Sequence, residues 1–346
     1  EFDEAIQRCK EKGIRTFEED IPIEIRTLST HYHDSPAPAL TITFFDIEVA
    51  YDKNIGFAGI ENPYAPINSV AMYHVHQNKY VVLVVQPTSD KAIYGKNGKR
   101  FGLAGDEFYK ILNSIAPLDK NIEVFFCKDE KELLLKFLDE IEESDVISGY
   151  NSDFFDIPYV GKRLEKIGQS AFKRLSFREA PAPRYRSVEK KGWGKPNETL
   201  DIYGRIKADY LDLYKKYEVA EKPSYKLESI ADEVLPELPK LEYEGNLADL
   251  YTGNFPWFIR YNIRDTEILK GFEDKLGYVA LSNELYHLST GLFKHITGTL
   301  RLAEFATVNY CHHKLGGLVV PNCKETGQDD DDEARIQGAF VLEPRP

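Results

Sequence analysis

The nine residues 41–49, TITFFDIEV, constrain the fold more than any other stretch of this chain. Apolar and polar positions alternate there as in a β-strand, and apolar side chains occur on both faces, which is typical of a central strand covered on both sides. Asp46 and Glu48 are two residues apart, so both carboxylates point from the same face. Two buried acids repel each other and lose hydration, and a divalent metal is the usual compensating charge.

A simpler interpretation of this pair stays open from the sequence. The chain has 57 acidic residues, and Asp-x-Glu triplets recur at Asp265 and Asp331, so Asp46 and Glu48 also fit a strand end that frays into solvent. The net charge is −13, which argues against a generic nucleic-acid coat. Residues 161–217, however, hold 15 Lys and Arg against 7 Asp and Glu, which suits either a local anionic substrate or an ordinary solvated surface.

Length and composition place the chain among globular proteins. Its 346 residues, 42% of them hydrophobic, have room for about two domains with a sizeable core. No run of about 18 apolar residues occurs, so no membrane span is predicted. The four cysteines are scattered without framework spacing, which favours free thiols in a reducing compartment.

Periodicity predicts a mixed sheet with helices on its faces. Alternation or short apolar runs predict strands over 21–25, 41–49, 66–76, 79–86, 122–127 and 146–149, with Gln77 and Asn78 as a hairpin turn, and two further short strands within 184–206. Helical spacing predicts a helix that stops at Gly13 and one from a Ser224 cap to about Leu235. Other helices are predicted over 129–143, from Pro256 through Leu269 or as far as Leu276, and, in one or two pieces, over 279–313. We therefore expect an α/β fold.

The segment GYNSDFFDIPYV, residues 149–160, lies where a short buried strand ends and a helix begins. Asp156 precedes Pro158, a residue type favoured in the first helical turn, so the plain interpretation of Asp156 is a helix N-cap. The functional interpretation is a third carboxylate at a strand–helix corner, beside the Asn151 amide and the Phe155 ring, which is able to touch a base. Both interpretations stay open at this point.

Tyr261 and Asp265 are four residues apart in the helix expected from Pro256, so they lie on one helical face. A surface Tyr–Asp pair has the same spacing. Taken with the three acids above, however, they complete a set of four carboxylates and one tyrosine. A two-metal phosphodiesterase needs such a set, because two divalent ions about 4 Å apart clamp the attacking and leaving oxygens. Oxygen ligands suit Mg²⁺ or Mn²⁺.

Three short segments, FDIEV, YNSDFFD and YNIRD, resemble the three exonuclease motifs of family B DNA polymerases. The likeness extends to DYLDLYKKY, KPSYKLESIADE and the terminal GAFVLEPRP, and it is strongest to the replicative polymerases of tailed phages. It implies an α/β, ribonuclease H-like (DEDD) exonuclease domain over residues 41–277. Residues 1–40 are then a partial N-terminal domain, and residues 278–346 return to that domain and lead toward the polymerase palm.

The resemblance implies a proofreading 3′→5′ exonuclease that acts on the 3′ end of single-stranded DNA and on primer–template DNA, in the cytoplasm of a phage-infected or bacterial cell. By this likeness Asp46 would bridge two divalent cations, Mg²⁺ or Mn²⁺. Glu48 and Asp265 would complete the ligands of the first ion, and Asp156 would hold the second. Glu48 would also align the attacking water, and Tyr261 would hydrogen-bond that water or the scissile phosphate. The catalytic contributions expected from these residues are electrostatic clamping and orientation of the attacking water.

The same resemblance implies several DNA contacts. Asn151 and Phe155 would contact the terminal nucleotides by polar contact and stacking, and Lys240 matches a lysine near the family's site. The hairpin within 184–206 matches one that helps to separate the primer end from the template, so Trp193 would wedge or stack there. For Lys240 and Trp193, ordinary surface positions remain the alternative interpretation.

The chain departs from the family pattern after GAFVLEP. Neither the D-x-x-S-L-Y-P nor the D-T-D motif of the polymerase palm occurs, so we expect no DNA synthesis from this chain alone. We expect the polymerase region either in the full protein or on a separate chain, and in the second case docking of that chain is an alternative main function. A ribonuclease H-like nuclease that acts on RNA is a further alternative, because nothing in the sequence discriminates the 2′-hydroxyl.

Overall fold

A computed structural model describes residues 2–19, 21–52, 54–87, 106–188, 197–243 and 245–317. The strands are β1 (Ile42–Val49), β2 (Ile67–His74), β3 (Lys79–Val85), β4 (Ile122–Cys127), β5 (Val146–Ser148), β6 (Arg184–Val188), β7 (Asn197–Asp201) and β8 (Ile206–Lys207). Six of them form one sheet in the order β4–β3–β2–β1–β5–β8, and β6 pairs with β7 as a separate ribbon.

The sheet is mixed, as the sequence predicts. Strands β1, β2 and β3 pair antiparallel, whereas β4 runs parallel to β3, and β5 lies parallel to both β1 and β8. Strand β1 therefore has a neighbour on each side, which confirms the central strand expected from its two apolar faces. The two short strands predicted within 184–206 are also confirmed as β6 and β7.

Helices cover both faces of the sheet, which confirms the α/β class. The helices of the described residues are α1 (Phe2–Glu11), α2 (Ile23–Tyr32), α3 (Asp106–Ile115), α4 (Glu130–Glu140), α5 (Asp156–Ile167), α6 (Gln169–Lys173), α7 (Tyr210–Tyr217), α8 (Leu227–Val234), α9 (Leu247–Gly253), α10 (Phe255–Leu276), α11 (Tyr278–Leu288) and α12 (Thr299–His313). Among the described residues, no helix is both long enough and apolar enough to cross a bilayer.

The side chains of β1 divide between two buried cores because successive residues point to opposite faces. Phe44 packs with Ile263 of α10 and with residues of α7 and α8. On the other face, Phe45 and Ile47 pack with Phe137 of α4 and with residues of α5. The acids of β1 share the Phe44 face, so the face that carries them is the one that α10 covers.

A third, smaller core joins the two ends of the described chain. Ile21 and Ile25 pack there with Tyr286 of α11 and with Phe305 of α12. The strand predicted over 21–25 is therefore wrong, because α2 begins at Ile23. Ile21 and Ile25 are four residues apart and face the same partners, whereas the intervening Ile23 is 56% exposed. Ile21 precedes the Pro22 cap position and Ile25 lies in the first turn of α2, so the alternation in the sequence does not mark a strand.

Other element boundaries also differ from prediction. The connection between β2 and β3 is a 3₁₀ turn over Val75–Gln77 that ends at Asn78 in the left-handed region, so the hairpin is present but its loop is longer than two residues. Helix α8 starts at Leu227 with Lys226 at its cap position. The predicted Ser224 cap is wrong, since Lys226 takes the cap position and the Ser224 hydroxyl accepts from the Lys226 N–H at 3.3 Å. Helices α3, α6, α7 and α9 were not predicted.

Candidate active site

Three of the predicted acids meet although they are more than 200 residues apart in sequence. Asp46 and Glu48 of β1 and Asp265 of α10 each place one carboxylate oxygen within 4.8 Å of the others. Glu48 and Asp265 are buried, and Asp46 is partly buried. The Oδ1 atom of Asp265 is buried without a hydrogen-bond partner among the described residues. The geometry therefore brings together acids that need a compensating positive charge.

The local geometry of β1 makes room for these acids. In the pairing with β2, Asp46 lies opposite Ala71 and Glu48 lies opposite Ser69, and the register shifts between Glu48 and Val49. Such a bulge kinks the strand and re-aims its side chains, and bulges are common beside active sites. The short side chains of β2 leave space for α10 to pack directly over the acids.

Asp156 lies at the first residue of α5 and is 5% exposed. Its Oδ1 atom accepts a hydrogen bond from the Ile47 N–H at 3.3 Å, so the side chain reaches back to β1 between the two strand acids. Phe155 occupies the cap position of α5, with no side-chain cap bond. The N-cap interpretation of Asp156 is therefore wrong. Asp156 is not one of the three acids with oxygens within 4.8 Å, but its charge raises the pKa of Asp46 and Glu48.

Burial raises the pKa of all four carboxyl groups. For Asp46, burial is reinforced by the charges of Glu48 and Asp265, and for Glu48 by that of Asp265. Burial raises the pKa of Asp156 to about 7, against the opposing effect of its backbone hydrogen bonds. For Asp265, burial also raises the pKa, whereas Lys240 lowers it. In the absence of a bound cation, the acids are thus held in an environment that disfavours their charged forms.

Lys240 lies inside this group rather than on an open surface. Its Nζ is 2.9 Å from Asp265 Oδ2 and 4.9 Å from the centre of the Tyr261 ring. Burial lowers the pKa of Lys240, but Asp265 and Tyr261 raise it more, so the net shift is upward. Tyr261 and Asp265 therefore share one helical face, as predicted. The Tyr243 ring packs edge-on against Tyr261, with the ring centres 5.1 Å apart.

Residues 8–230 match the model of the exonuclease domain of family B DNA polymerases. The chain belongs to this family. It is 29% identical over 314 residues to the DNA-directed DNA polymerase of Escherichia phage RB69, covering 89% of this chain and 33% of that protein. It is 29% identical over 234 residues to the DNA-directed DNA polymerase of Enterobacteria phage T4, covering 66% of this chain and 24% of that protein.

A eukaryotic relative shows the same partial coverage. The chain is 26% identical over 244 residues to the DNA polymerase delta catalytic subunit of Arabidopsis thaliana, covering 68% of this chain and 22% of that protein. The chain thus spans a third or less of the length of these three polymerases. The predicted family, the ribonuclease H-like fold and the assignment as a family B 3′→5′ exonuclease domain are confirmed. The domain boundaries and the roles of individual residues stay predictions.

Two of the residues predicted to contact DNA in this exonuclease domain, Asn151 and Phe155, lie at the loop before α5. Asn151 is exposed, with a φ of +59°. Phe155 is partly buried and stacks on Phe57, with the ring centres 5.4 Å apart, and the Phe57 side chain is 70% exposed. The structure therefore places an amide and an accessible aromatic pair on this loop. Trp193 lies outside the described residues.

Sequence reasoning missed Asn262, which orients Asp46. The fully buried Asn262 donates from Nδ2 to Asp46 Oδ2 at 2.8 Å, and its Oδ1 accepts from the Ser69 hydroxyl at 2.7 Å. The available signal was position, because Asn262 is three residues from both Ile259 and Asp265 and so lies on the packed side of α10. A buried amide on a packed helical face needs polar partners.

Arg264 was also missed, and it holds the segment that carries Lys240. Its Nη1 donates to the Pro239 carbonyl at 2.8 Å, while its Nε donates to Glu267 Oε2 at 2.8 Å. Arg260 is bound to the same carboxylate. This buried network fixes the 239–240 backbone against α10, and so it fixes the position of the ammonium group beside Asp265.

The residues of the acid group fit divalent cations. The donors are carboxylate oxygens, which suit Mg²⁺ and Mn²⁺, and the unpartnered Asp265 Oδ1 is an available ligand atom. Lys240 supplies one positive charge against four carboxylates. A divalent cation would supply the remaining charge and would restore the ionised forms that burial disfavours.

Proposed function

We propose that this exonuclease domain removes nucleotides from the 3′ end of single-stranded DNA, with Asp46, Glu48, Asp156 and Asp265 holding two divalent cations, Mg²⁺ or Mn²⁺. The observation that carries the proposal is the convergence of Asp46, Glu48 and Asp265 within 4.8 Å, with one buried Asp265 oxygen left unpartnered. The match to the family's exonuclease domain supports the same reaction. Proofreading of a primer–template end is the corresponding role in a complete polymerase.

When bound, such ions polarise the phosphate and stabilise both the attacking and the leaving oxygen. The chain's own residues supply orientation. In this proposal Glu48 accepts a hydrogen bond from the attacking water, and the Tyr261 hydroxyl donates to that water or to the scissile phosphate. Lys240 holds the side chains of Tyr261 and Asp265 in fixed positions relative to each other, a role supported by its contacts with both. Asn262 holds Asp46 Oδ2 in one orientation, which preorganises the site before substrate binds.

Substrate contacts are proposed at the loop before α5. The Asn151 amide would bind the terminal nucleotide, and Phe155 with Phe57 would offer a stacking surface to the bases, since every base presents an aromatic face. Lys240 is near enough to the acids to meet a phosphate as well. For Trp193, a wedge between primer and template stays a proposal from family resemblance alone.

We also propose the domain boundaries 1–40, 41–277 and 278–346, with the first and last segments packed as one lobe. The core that joins Ile21 and Ile25 to Tyr286 and Phe305 supports this arrangement. A second candidate function, docking of a polymerase region or a separate polymerase chain, is favoured by exposed apolar side chains on the same lobe. Leu288 at the end of α11, for example, is 74% exposed.

The test follows a 5′-labelled single strand with Mg²⁺, Mn²⁺ or EDTA, alongside the same sequence as RNA. With metal we expect a ladder of products that shorten from the 3′ end of the DNA, and EDTA should abolish this cleavage. The Asp46→Ala variant should remain folded but should not cleave. A primer–template with deoxynucleotides, run in parallel, should show no extension. Intact DNA with every metal would refute the proposal and favour the docking function, and preferred cleavage of the RNA would refute the assignment of the substrate.

A further inference from the structure

The carboxylate of Asp209, which has no role in the proposed chemistry, binds three backbone N–H groups. Asp209 lies just before α7 and is 3% exposed. Its Oδ1 accepts from Leu211 N–H at 3.0 Å, which is an ordinary helix cap. The same oxygen accepts from Asn151 N–H at 2.9 Å, and Oδ2 accepts from Asp153 N–H at 3.0 Å. Two of the three bonds therefore reach a loop more than 50 residues away in sequence.

That loop leaves the sheet at Gly149. The parallel pairing of β5 with β8 continues past the strand ends, because Ala208 N–H donates to the Ile147 carbonyl and Tyr210 N–H donates to the Gly149 carbonyl, each at 2.9 Å. Gly149 approaches β1 so closely that a Cβ there would lie 3.0 Å from the Phe45 carbonyl oxygen. Beyond this point, residues 150–155 have no strand partner. The Asp209 carboxylate supplies the acceptors that a strand would otherwise supply.

The bond to Asn151 holds a backbone conformation that is costly for most residues. Asn151 has a φ of +59°, in the left-handed region, which Asn tolerates better than other non-glycine residues. Such conformations persist only where their surroundings fix them, and they cluster at functional sites. Here the fixed backbone directs an exposed amide side chain out of the loop that leads into Phe155 and Asp156.

We propose that Asp209 is a positioning residue for the exonuclease, which fixes the backbone at Asn151 and Asp153 so that the Asn151 amide meets the terminal nucleotide. Burial keeps Asp209 itself away from the substrate. The inference rests on the proposed function, because it assigns how Asn151 is presented to the same DNA end. An asparagine at 209 would not substitute fully, since its amide nitrogen is a donor and would face the Asp153 N–H.

The test uses Asp209→Ser, because serine keeps a cap acceptor for Leu211 but is too short to reach the loop. Cleavage of a 5′-labelled single strand is measured for the wild type, Asp209→Ser, Asn151→Ala and the double variant. We expect KM to rise on the order of tenfold in each single variant. We expect the double variant to be no worse than the more affected single one, because both changes remove the same contact. The half-saturating Mn²⁺ concentration should stay unchanged.

A matched control is Asp129→Ser. Asp129 caps α4 by accepting from the Glu132 N–H at 2.8 Å, and among the described residues it has no hydrogen bond to the loop 150–155. The KM of this control should not change. An unchanged KM in Asp209→Ser, or multiplying effects in the double variant, would overturn the inference and leave Asp209 as a helix cap. If Asp209→Ser does not fold, Asp209→Asn is measured instead. We expect an intermediate rise in KM for Asp209→Asn, and an unchanged KM would refute the positioning role of Asp209. A wild type that cleaves no DNA would refute the proposed function itself, and the inference with it.

Discussion

Asp156→Asn should stabilise this protein in the absence of divalent metal, and only at neutral to alkaline pH. The asparagine has the same shape, and its Oδ1 can still accept from the Ile47 N–H, but it carries no charge. In the wild type, burial raises the pKa of Asp156 from 3.8 to about 7. A carboxyl group whose pKa is higher in the folded than in the unfolded protein stabilises the folded state at pH values below the pKa that it has in the unfolded chain. This stabilisation is lost as the pH rises through the pKa that the group has in the folded protein.

The size of the effect follows from the two pKa values. One pKa unit corresponds to about 1.4 kcal/mol, so between pH 4 and pH 8 the wild type loses at most about 4 kcal/mol of folding free energy through Asp156. Asp156→Asn avoids this loss. The variant also relieves the repulsion that Asp156 exerts on Asp46 and Glu48, which acts in the same direction. The gain should therefore be small at pH 4 and about 2–4 kcal/mol at pH 8.

The assay is urea denaturation in EDTA at several pH values between 4 and 8. The exposed Asp232 of α8 offers a matched control, because Asp232→Asn removes one charge outside the acid group and should change little. Added Mn²⁺ should reverse the order, since it stabilises the form that binds it. The electrostatic account of the site would be refuted if Asp156→Asn were no more stable than the wild type at pH 8. It would also be refuted if the gain in stability at pH 4 were as large as the gain at pH 8.

Three further substitutions test the surroundings of the acids. Asn262→Ala removes the hydrogen bond to Asp46 and should raise the half-saturating Mn²⁺ concentration for cleavage about tenfold; an unchanged value would leave Asn262 as a packing residue. Lys240→Met removes the charge beside Asp265 and should destabilise the metal-free protein at pH 8 by about 2 kcal/mol in urea denaturation, a loss whose absence would contradict the pairing. Tyr261→Phe should lower kcat at least tenfold with unchanged Mn²⁺ binding, and an unchanged kcat would remove the hydroxyl from the mechanism.

Strand β1 and its acids could be predicted because strand geometry is local. A period of two places Asp46 and Glu48 on one face whatever the rest of the chain does. The two apolar faces of the same strand then predict a central position. The proximity of Asp46 and Glu48 to Asp265 could be predicted only through family resemblance, because no local pattern relates residues more than 200 positions apart.

The errors and omissions have physical causes as well. Ile21, Ile23 and Ile25 fit a strand by alternation, and only the packing of Ile21 and Ile25 against α11 and α12 decides for a helix. Asn262 was missed because a polar residue in a helix is usually solvated, whereas here Asp46 accepts a hydrogen bond from its buried amide. Asp209 was missed for a similar reason, since its partners are backbone groups of a distant loop.

The central claim, that the buried acids hold divalent cations, is tested most directly by Mn²⁺ binding without substrate. Electron paramagnetic resonance measures free Mn²⁺ during titration of the wild type, Asp46→Ala and the control Asp232→Asn. We predict saturable binding by the wild type and by Asp232→Asn, and loss of that binding in Asp46→Ala with the fold retained. Equal Mn²⁺ binding by the wild type and Asp46→Ala would contradict the account.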